Sequence, residues 1–287
     1  MNNLAVVVTT YNCPQALRVV GEGFLAQTDR RFELIVADDG STGETTRVIE
    51  TLARTADFPV QHVWQEDRGF RAATVRNRAV AATSAEYLVF TDGDCVPLPG
   101  FIAGHRRLAE RRWFLSGNRV LLGRALTVRI VAEEAAPFRA TPLQAVGHRL
   151  WGGMNRLLPL VRLPLSNRLR KRAPGRWQGV RTANFSLWRE DFLAVDGFDE
   201  SYTGWGLEDT DLVLRLLRAG VRHKDARFAG AAVLHLWHAE ASRAELEKNR
   251  QRLGALRGSQ RTRAARGLSR HMGPPDARAR TARAHAL

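Results

Sequence analysis

Short apolar runs alternate with helix-like stretches through about the first hundred residues, and this alternation constrains the fold more than any other feature of the sequence. Strands are predicted at Leu4 to Val8, Glu33 to Ala37, Val60 to Trp64 and Tyr87 to Phe90, and helices at Pro14 to Leu25, Glu44 to Arg54 and Ala72 to Ala82. Such an order predicts an α/β fold with a doubly wound, mostly parallel sheet and helices on both faces.

Polar residues cluster where the predicted strands end. In open α/β sheets ligands bind outside the carboxyl ends of the strands. The side chains expected to converge on one crevice are Thr10, Asp38, Asp39, Asp92 and Asp94.

The pattern changes in the second half of the chain. Residues 137–179 mix Leu, Trp and Arg with five prolines and are interpreted as an irregular, basic insertion. Asn184 to Trp188 and Ala231 to Leu236 are predicted strands, and Asp209 to Arg218 is a predicted amphipathic helix. The expected organisation is one domain over 1–240, with one half at about 1–100 and another at about 180–240.

Residues 241–287 form an Arg-rich tail that is helical at first and expected to lack order from about Gly267. The formal net charge of +15 and the isoelectric point near 11.3 call for an anionic partner, either phospholipid, a phosphorylated substrate or nucleic acid. Single-stranded nucleic-acid binding favours interleaved aromatic residues. The tail has none after Trp237, so no nucleic-acid partner is expected.

The cysteine content and the hydropathy of the chain predict its location in the cell. Two cysteines, Cys13 and Cys95, provide no disulfide framework, which favours a reducing cytoplasm. The chain shows neither a signal peptide nor an apolar run of the roughly 18 residues that a spanning helix needs. Any membrane association is therefore expected to be peripheral, at the inner face.

Two Asp-containing turns follow predicted strands. Asp92-Gly93-Asp94 places two carboxylates on a tight turn, where they can bind a hard divalent cation and leave positions for phosphate oxygens. The alternative for such a tripeptide is an ordinary surface turn. Asp38-Asp39-Gly40-Ser41 can hydrogen-bond a base or ribose, or can cap the next helix through Ser41.

Two further motifs lie near the end of the predicted domain. The run Gly204-Trp205-Gly206-Leu207-Glu208-Asp209 puts two carboxylates at a helix start after an aromatic side chain suited to a sugar ring. Its alternative is an acidic capping sequence. His235 and His238 follow the last predicted strand and would complete the mixed nitrogen and oxygen ligand set that Mn²⁺ accepts; otherwise they are satisfied core histidines.

Together these motifs resemble family 2 glycosyltransferases of the GT-A fold. The resemblance rests on Val-Val-Val-Thr-Thr-Tyr-Asn, Val-Ala-Asp-Asp-Gly-Ser and Phe-Thr-Asp-Gly-Asp in that order. The block from Asn184 through Gly197-Phe198-Asp199-Glu200 to Asp209 is similar to the C-terminal signature of β-1,4-galactosyltransferases and chondroitin-polymerase-type enzymes. The match covers roughly residues 4 to 240 and implies a nucleotide-binding half at about 1–100 and an acceptor half at about 180–240.

The resemblance implies a role for each matching residue. Asp209 matches the catalytic base, and Glu208, Trp205, Gly206 and Asn184 match the sugar- or acceptor-binding region. Asp92, Asp94 and either His235 or His238 match the metal site, for which Mn²⁺ or Mg²⁺ is expected. The positions that match the nucleotide and donor site are Thr10, Tyr11, Asp38, Asp39, Arg68, Gly69, Arg76, Asn77 and Asp92.

The function expected from these motifs is inverting, metal-dependent transfer of a sugar from a nucleotide-diphosphate sugar, with a UDP-sugar as the expected donor. The acceptor would be a hydroxyl of a glycan or glycolipid in cell-envelope polysaccharide synthesis, reached by an enzyme held on an anionic membrane surface. A metal-dependent nucleotidyltransferase is the first alternative, but it leaves Gly204–Asp209 without a role. A basic nucleic-acid-binding protein is the second.

Overall fold

The computed structural model describes residues 3–133, 142–240 and 242–273. Its strands are β1 Leu4–Thr10, β2 Glu33–Asp38, β3 Val60–Trp64, β4 Tyr87–Asp92, β5 Cys95–Pro97, β6 Trp113–Ser116, β7 Arg119–Leu121, β8 Asn184–Trp188, β9 Arg222–Asp225 and β10 Val233–His235. Its α-helices are α1 Pro14–Leu25, α2 Gly43–Thr55, α3 Ala72–Ala81, α4 Phe101–Leu108, α5 Arg124–Val131, α6 Pro142–Leu150, α7 Asn167–Arg170, α8 Arg189–Ala194, α9 Glu208–Arg218 and α10 Leu246–Arg257.

Within the described residues, seven strands form the main sheet in the order β3-β2-β1-β4-β8-β6-β9. The pairs among β1, β2, β3 and β4 are parallel, whereas β8 runs antiparallel to both β4 and β6. Three further strands form a smaller sheet in the order β5-β10-β7, and β5 directly follows β4 in the chain. The predicted doubly wound, mostly parallel mixed sheet is therefore confirmed.

Strand β1 shows why helices cover both faces of the sheet. Its side chains alternate between the two faces, as in any strand, and all five residues from Leu4 to Val8 are buried. Leu4, Val6 and Val8 pack with α1 and α2 in one hydrophobic cluster, and Ala5 and Val7 pack with α3, α8 and α9 in another. The continuous apolar run of this strand follows from burial on both faces.

A buried polar network joins β4, α4 and β8. The Tyr87 hydroxyl lies 2.9 Å from the Ser186 hydroxyl, which lies 2.8 Å from His105 Nδ1. The other ring nitrogen of His105 lies 3.1 Å from Asn184 Oδ1. Burial lowers the pKa of His105 to about 4, so the ring is neutral at pH 7 and bonds these partners without a buried charge.

Part of the basic insertion is held to the domain rather than projecting from it. Arg170 is 4% exposed and donates to the carbonyls of Asp225 and Arg227 at 3.1 and 2.6 Å. Lys171 bonds Glu110 at 2.5 Å. Residues 137–141 of the predicted insertion lie outside the described residues. No helix within the described ranges is both long and apolar enough to span a membrane.

The C-terminal region, from residue 242 onwards, packs on the rest of the domain. The helix predicted there is α10. The composition predicts a loss of order from about Gly267, but residues Leu268–His271 form a 3-10 helix in which Leu268 is 1% exposed. Asp196 accepts bonds from the backbone and hydroxyl of Ser269 at 2.7 and 3.0 Å, and Glu200 lies 2.6 Å from His271. Three arginines of this region also pair with acidic side chains of the domain: Arg261 with Asp199, Arg263 with Asp196 and Arg270 with Glu200. Residues 274–287 lie outside the described residues.

Candidate active site

The carboxyl ends of β2, β1 and β4 meet at one edge of the main sheet. Thr10 is in register with Asp38 across β1 and β2, and Thr9 is in register with Asp92 across β1 and β4. The structure thus brings together the polar strand ends that the sequence predicted. Thr10 is buried, and its hydroxyl has no hydrogen-bond partner among the described residues.

Asp38 and Asp39 have different surroundings. Asp38 is fully buried; burial alone would raise its pKa, but bonds from His62 at 3.0 Å and from the Ser41 amide at 2.8 Å lower it below its usual value. Asp39 accepts bonds from the Gln65 side chain at 2.5 Å and the Arg71 amide at 2.6 Å. Its pKa is raised, chiefly by burial.

The Ser41 hydroxyl does not cap α2. The residue before α2 is Thr42, whose side chain makes no cap hydrogen bond. Instead, Ser41 Oγ accepts from the Asn12 amide at 2.8 Å, and Asn12 Oδ1 accepts from the Thr42 amide at 2.9 Å. The loops that follow β1 and β2 are therefore joined to each other, which fixes the edge on which Tyr11 lies.

Two exposed aromatic side chains flank this edge. Tyr11 is 47% exposed, and its hydroxyl donates to Asp67 at 2.8 Å. Trp64 is 48% exposed and donates to the Ser41 carbonyl at 3.3 Å. The sequence interpretation did not include Trp64 among the candidate site residues. The signal in the sequence was its position as the last residue of the predicted strand Val60 to Trp64, and the structure sets it in register with Asp38.

The segment after β3 carries Arg68 and Gly69. Arg68 is exposed and pairs with Glu66 at 2.6 Å. Gly69 has a φ of +80°, which favours glycine, and its amide donates to Asp67 at 3.0 Å. Both residues border the edge where Tyr11 lies, through their contacts with Glu66 and Asp67.

Arg76 connects the end of β1, the end of β4 and the start of α9. It donates to Thr9 Oγ1 at 2.9 Å, to Asp92 at 3.0 Å and to Glu208 at 3.2 Å, and it lies 3.8 Å from Asp209. Burial opposes its charge, but these carboxylates raise the pKa of Arg76 above its usual value. A permanent cation therefore joins the first Asp of the Asp-Gly-Asp turn to the Glu-Asp pair.

Glu208 and Asp209 differ in their hydrogen-bond partners. Asp209 accepts from the Thr182 hydroxyl at 2.5 Å and the Thr182 amide at 3.2 Å. One oxygen of Glu208 is buried without a partner among the described residues. Burial and the nearby Asp209 raise the pKa of Glu208 to about 7. Glu208 can therefore change its charge near neutral pH, whereas Asp209 is oriented by Thr182.

Asp94 and the two histidines form a compact cluster. His235 Nε2 lies 3.6 Å and His238 Nε2 lies 3.2 Å from Asp94 Oδ2. The pairing of β10 with β5 sets His235 opposite Cys95, and ligand atoms of Asp94, Cys95 and His235 lie within 4.8 Å of one another. Burial, and to a smaller extent Asp94 and Asp92, raises the pKa of Cys95 well above its usual value. Cys95 is therefore a thiol, which donates to Asp94 at 3.3 Å, rather than a thiolate that could bind a metal.

The ligand atoms of this cluster are a carboxylate and two imidazoles. Mg²⁺ prefers oxygen ligands, whereas Mn²⁺ also accepts imidazole nitrogen. Asp92, the other predicted metal ligand, is oriented instead towards Arg76. The donor set present at Asp94 therefore fits a divalent cation with room for further oxygen ligands.

The predicted acceptor residues fall into two groups. Trp205 is 42% exposed, with the Arg243 guanidinium 5.5 Å from its ring centroid, and Gly206 has a φ of +100° in the same loop. Asn184 is 1% exposed, and its amide donates to the carbonyls of Asn118 and Ala231 at 3.0 and 2.7 Å. In this structure the Asn184 side chain holds the interior of the domain together.

Asn77, predicted to line the donor site, is also fully buried. Its amide donates to Phe198 O and Glu200 at 2.9 Å each, and its oxygen accepts from the Phe198 amide at 2.9 Å. These bonds attach α3 to the Gly197–Glu200 segment. A direct role of Asn77 or Asn184 in ligand binding stays a prediction.

Comparisons with known proteins match this arrangement. Residues 5–132 match the model of glycosyl transferase family 2, and residues 164–239 match the model described as the N-terminal domain of galactosyltransferase. Validoxylamine A glucosyltransferase of Streptomyces hygroscopicus subsp. jinggangensis is 33% identical over 76% of this chain and 52% of its own length. Chondroitin synthase of Escherichia coli is 24% identical over 82% of this chain and 35% of its own.

The chain thus spans about half the length of the first of these relatives. A solved mannosyltransferase from Pyrobaculum calidifontis, in complex with GDP-Man and Mn²⁺, has a TM-score of 0.55 and 18% identity over 81% of this chain and 56% of its own. The structural likeness confirms the GT-A fold that the motifs implied.

Proposed function

The chain belongs to glycosyltransferase family 2, and from this premise we propose that it transfers a sugar from a nucleotide-diphosphate sugar to a hydroxyl of a glycan or glycolipid. The observation that carries the proposal is the link through Arg76, which bonds both Asp92 and Glu208. This link supports the proposal because it joins the turn proposed to lie beside the donor phosphates to the carboxylate pair proposed to face the acceptor.

The donor is proposed to bind along the edge formed by β1, β2 and β3. Tyr11 and Trp64 offer exposed aromatic surface for a base. Asp39 is buried and already accepts from Gln65 and Arg71, and it is proposed to accept a further hydrogen bond from the ribose or the base. We propose a UDP-sugar. Because the structurally similar mannosyltransferase is in complex with GDP-Man, a GDP-sugar is the natural comparison.

A divalent cation, Mn²⁺ or Mg²⁺, is proposed to be held by Asp94 with His235 or His238. When bound, it would neutralise charge on the diphosphate leaving group. Asp92 is proposed to contribute through Arg76, with which this carboxylate pairs at 3.0 Å beside the donor site. The nearly buried Arg76 has its own bonds satisfied by the protein, so its proposed role is to hold these carboxylates in place.

Asp209 is proposed as the general base. Thr182 fixes its carboxylate through two hydrogen bonds, and the side chain retains access to solvent. It would accept the proton of the acceptor hydroxyl while that oxygen bonds to the anomeric carbon and the bond from this carbon to the diphosphate breaks. Attack from the face opposite the leaving group inverts the configuration. Trp205 is proposed to carry the sugar ring of the acceptor.

The proposal is tested by incubating the protein with UDP-glucose or GDP-mannose and Mn²⁺ and measuring free nucleoside diphosphate. We expect release that stops in excess chelator. Release of pyrophosphate from a nucleoside triphosphate and a sugar phosphate would instead identify a nucleotidyltransferase. Tight binding of single-stranded nucleic acid without either release would favour the nucleic-acid alternative.

We further propose that the acceptor is reached at an anionic membrane surface, at the inner face in the cytoplasm, as in synthesis of a cell-envelope polysaccharide. The support is an apolar surface on the insertion: Leu143, Leu150, Trp151 and Leu158 are 81, 78, 90 and 64% exposed. Exposed Arg149 and Arg156 lie beside it in sequence. Apolar and aromatic groups can enter the headgroup region while each nearby cation adds about 1 kcal/mol of attraction to anionic lipid.

The same surface is connected to the metal cluster. Gly153, two residues after Trp151, accepts through its carbonyl from the Gly123 amide at 2.9 Å. Leu122, the residue before Gly123, donates its amide to the carbonyl of His235 at 2.9 Å. A lipid-linked acceptor held on this surface would therefore lie near the proposed site of transfer. Because Arg170 and Lys171 bond within the domain, they are poor choices for testing lipid attraction.

Sedimentation with phosphatidylglycerol vesicles, but not with phosphatidylcholine vesicles, is the expected result. It should weaken as salt rises and in a variant carrying Arg149→Gln and Arg156→Gln. A variant with Arg47→Gln and Arg54→Gln on α2 is the matched control and should sediment like the wild type. Equal loss in both variants, or no sedimentation at all, would leave a phosphorylated glycan acceptor as the partner of the basic surface.

A further inference from the structure

Helix α10 lies beyond both matched regions, which end at residues 132 and 239, yet one of its side chains is fully buried. Asn249 is 0% exposed and donates through Nδ2 to the carbonyls of Thr203 and Gly206, each at 3.0 Å. Its Oδ1 accepts from Arg252 at 2.9 Å. All of its polar atoms therefore have partners, and two of the bonds go to a single loop.

That loop has a backbone that needs support. Gly204, Gly206 and Leu207 have φ values of +70°, +100° and +78°, and a non-glycine residue such as Leu207 adopts this region only at a conformational cost. Carbonyls that no regular structure can satisfy must find other partners when buried. Asn249 supplies the donors for two of them.

The loop is also held tightly on its other sides. The Gly204 amide donates to Phe70 O at 2.9 Å, and a Cβ added at Gly204 would lie 2.6 Å from the Cβ of Glu245, the residue before α10. The loop thus lies between the segment after β3, where Arg68 and Gly69 are located, and the start of α10.

This loop carries the side chains of the proposed acceptor site. Trp205 lies between the two bonded carbonyls in sequence, and Glu208 is the first residue of α9 directly after Leu207. A change in the loop backbone would therefore move both the aromatic surface and the start of the Glu208–Asp209 pair.

We propose that Asn249 is a positioning residue, which holds the Thr203–Leu207 loop in the conformation that presents Trp205, Glu208 and Asp209 to the acceptor. The inference rests on the proposed glycosyl transfer, and it extends the functional domain beyond residue 240 to include α10.

The test uses the full chain with Asn249→Asp, which keeps the size of the side chain but removes both donated bonds, and Asn249→Gln as the conservative variant. Leu256→Ala is the matched control, since Leu256 is 2% exposed on the same helix but makes no bond to the loop. The readouts are the melting temperature, amide hydrogen exchange of peptides spanning 203–211, and UDP-glucose hydrolysis in the absence of acceptor.

For Asn249→Asp we expect amide exchange in 203–211 to be at least tenfold faster than in the wild type; this segment includes the hydrogen-bonded amides of Gly204 and Asp211. We also expect kcat to fall about tenfold, while KM for UDP-glucose stays within twofold of the wild-type value. Asn249→Gln should recover part of the kcat. Leu256→Ala should lower the melting temperature without either local effect.

Unchanged exchange in 203–211 for Asn249→Asp, or an equal kcat loss in Leu256→Ala at a matched melting temperature, would overturn the inference. A wild-type protein that cleaves no nucleotide sugar would instead overturn the proposed function, and the exchange data would still report whether Asn249 holds the loop.

Discussion

Replacing Glu208 by Gln should stabilise the protein at alkaline pH while impairing its activity. In the folded chain, burial and Asp209 raise the pKa of Glu208 from 4.5 to about 7. The folded state therefore binds a proton more tightly than the unfolded state, and stability is lost as pH rises from 4.5 through 7. Each pKa unit is worth about 1.4 kcal/mol, so ionising Glu208 in the fold costs about 3 kcal/mol at pH 8 and less than about 1 kcal/mol at pH 5.

The glutamine keeps an oxygen to accept from Arg76 and has no charge to bury. We therefore expect the gain in unfolding free energy of Glu208→Gln over wild type to grow from below about 1 kcal/mol at pH 5 to about 3 kcal/mol at pH 8. Urea unfolding followed by fluorescence measures it, with Glu190→Gln as a control because Glu190 is exposed and paired with Arg111. A difference that does not vary with pH would refute the reasoning.

Three further predictions concern the metal cluster, the base and the buried histidine. Asp94→Ala should abolish metal-dependent nucleotide binding and turnover, measured by titration calorimetry and nucleoside diphosphate release; full wild-type activity in excess chelator would contradict the metal proposal. Asp209→Asn should keep donor affinity while lowering turnover by roughly 10² or more; unchanged turnover would move the base role to Glu208. His105, with a pKa lowered by burial to about 4 from 6.5, should contribute stability that is present above pH 6.5 and lost as pH falls towards 4, by about 3 kcal/mol. The pH dependence from His105 has the opposite sign to that from Glu208 over an overlapping pH range. It should therefore be isolated as the difference in unfolding free energy between wild type and His105→Gln at several pH values. A difference that is the same at pH 4.5 and pH 7 would contradict this prediction.

Much of the first half of the fold could be predicted from the sequence because strands β1, β2 and β4 are buried on both faces. The bounds predicted for Val60–Trp64 and Pro14–Leu25 are those observed, and the other early elements differ by one or two residues. Short apolar runs that alternate with helical segments leave few alternatives. The sequence also located the polar strand ends that form the site, because parallel strands place their carboxyl ends at one edge.

The shortest strands could not be predicted in the same way. Strands β5 and β7 have three residues each, and both pair with β10, which lies far along the chain. Such strands depend on packing rather than on a local pattern. The last predicted strand, Ala231 to Leu236, is observed only from Val233 to His235.

Side-chain assignments within the site depend on three-dimensional contacts that no motif specifies. Asp92 and Asp94 are two residues apart, yet one pairs with Arg76 and the other with histidines at and after the end of β10. Thr182, which orients Asp209, and Asn249, which holds the loop before Glu208, lie in segments without a recognisable motif. Their roles appear only when Thr182 meets the start of α9 and α10 packs against α9.

The most direct test of the account is to follow UDP-glucose hydrolysis by proton NMR in the presence of diamagnetic Mg²⁺, fast enough to observe the first glucose anomer before it equilibrates. Because UDP-glucose carries an α-linked sugar, an inverting site that activates water through Asp209 should release UDP and β-glucose first. Asp209→Asn should slow the release of both products. Initial release of α-glucose would contradict inversion, and the absence of UDP release with and without metal would contradict the proposed transfer from this donor.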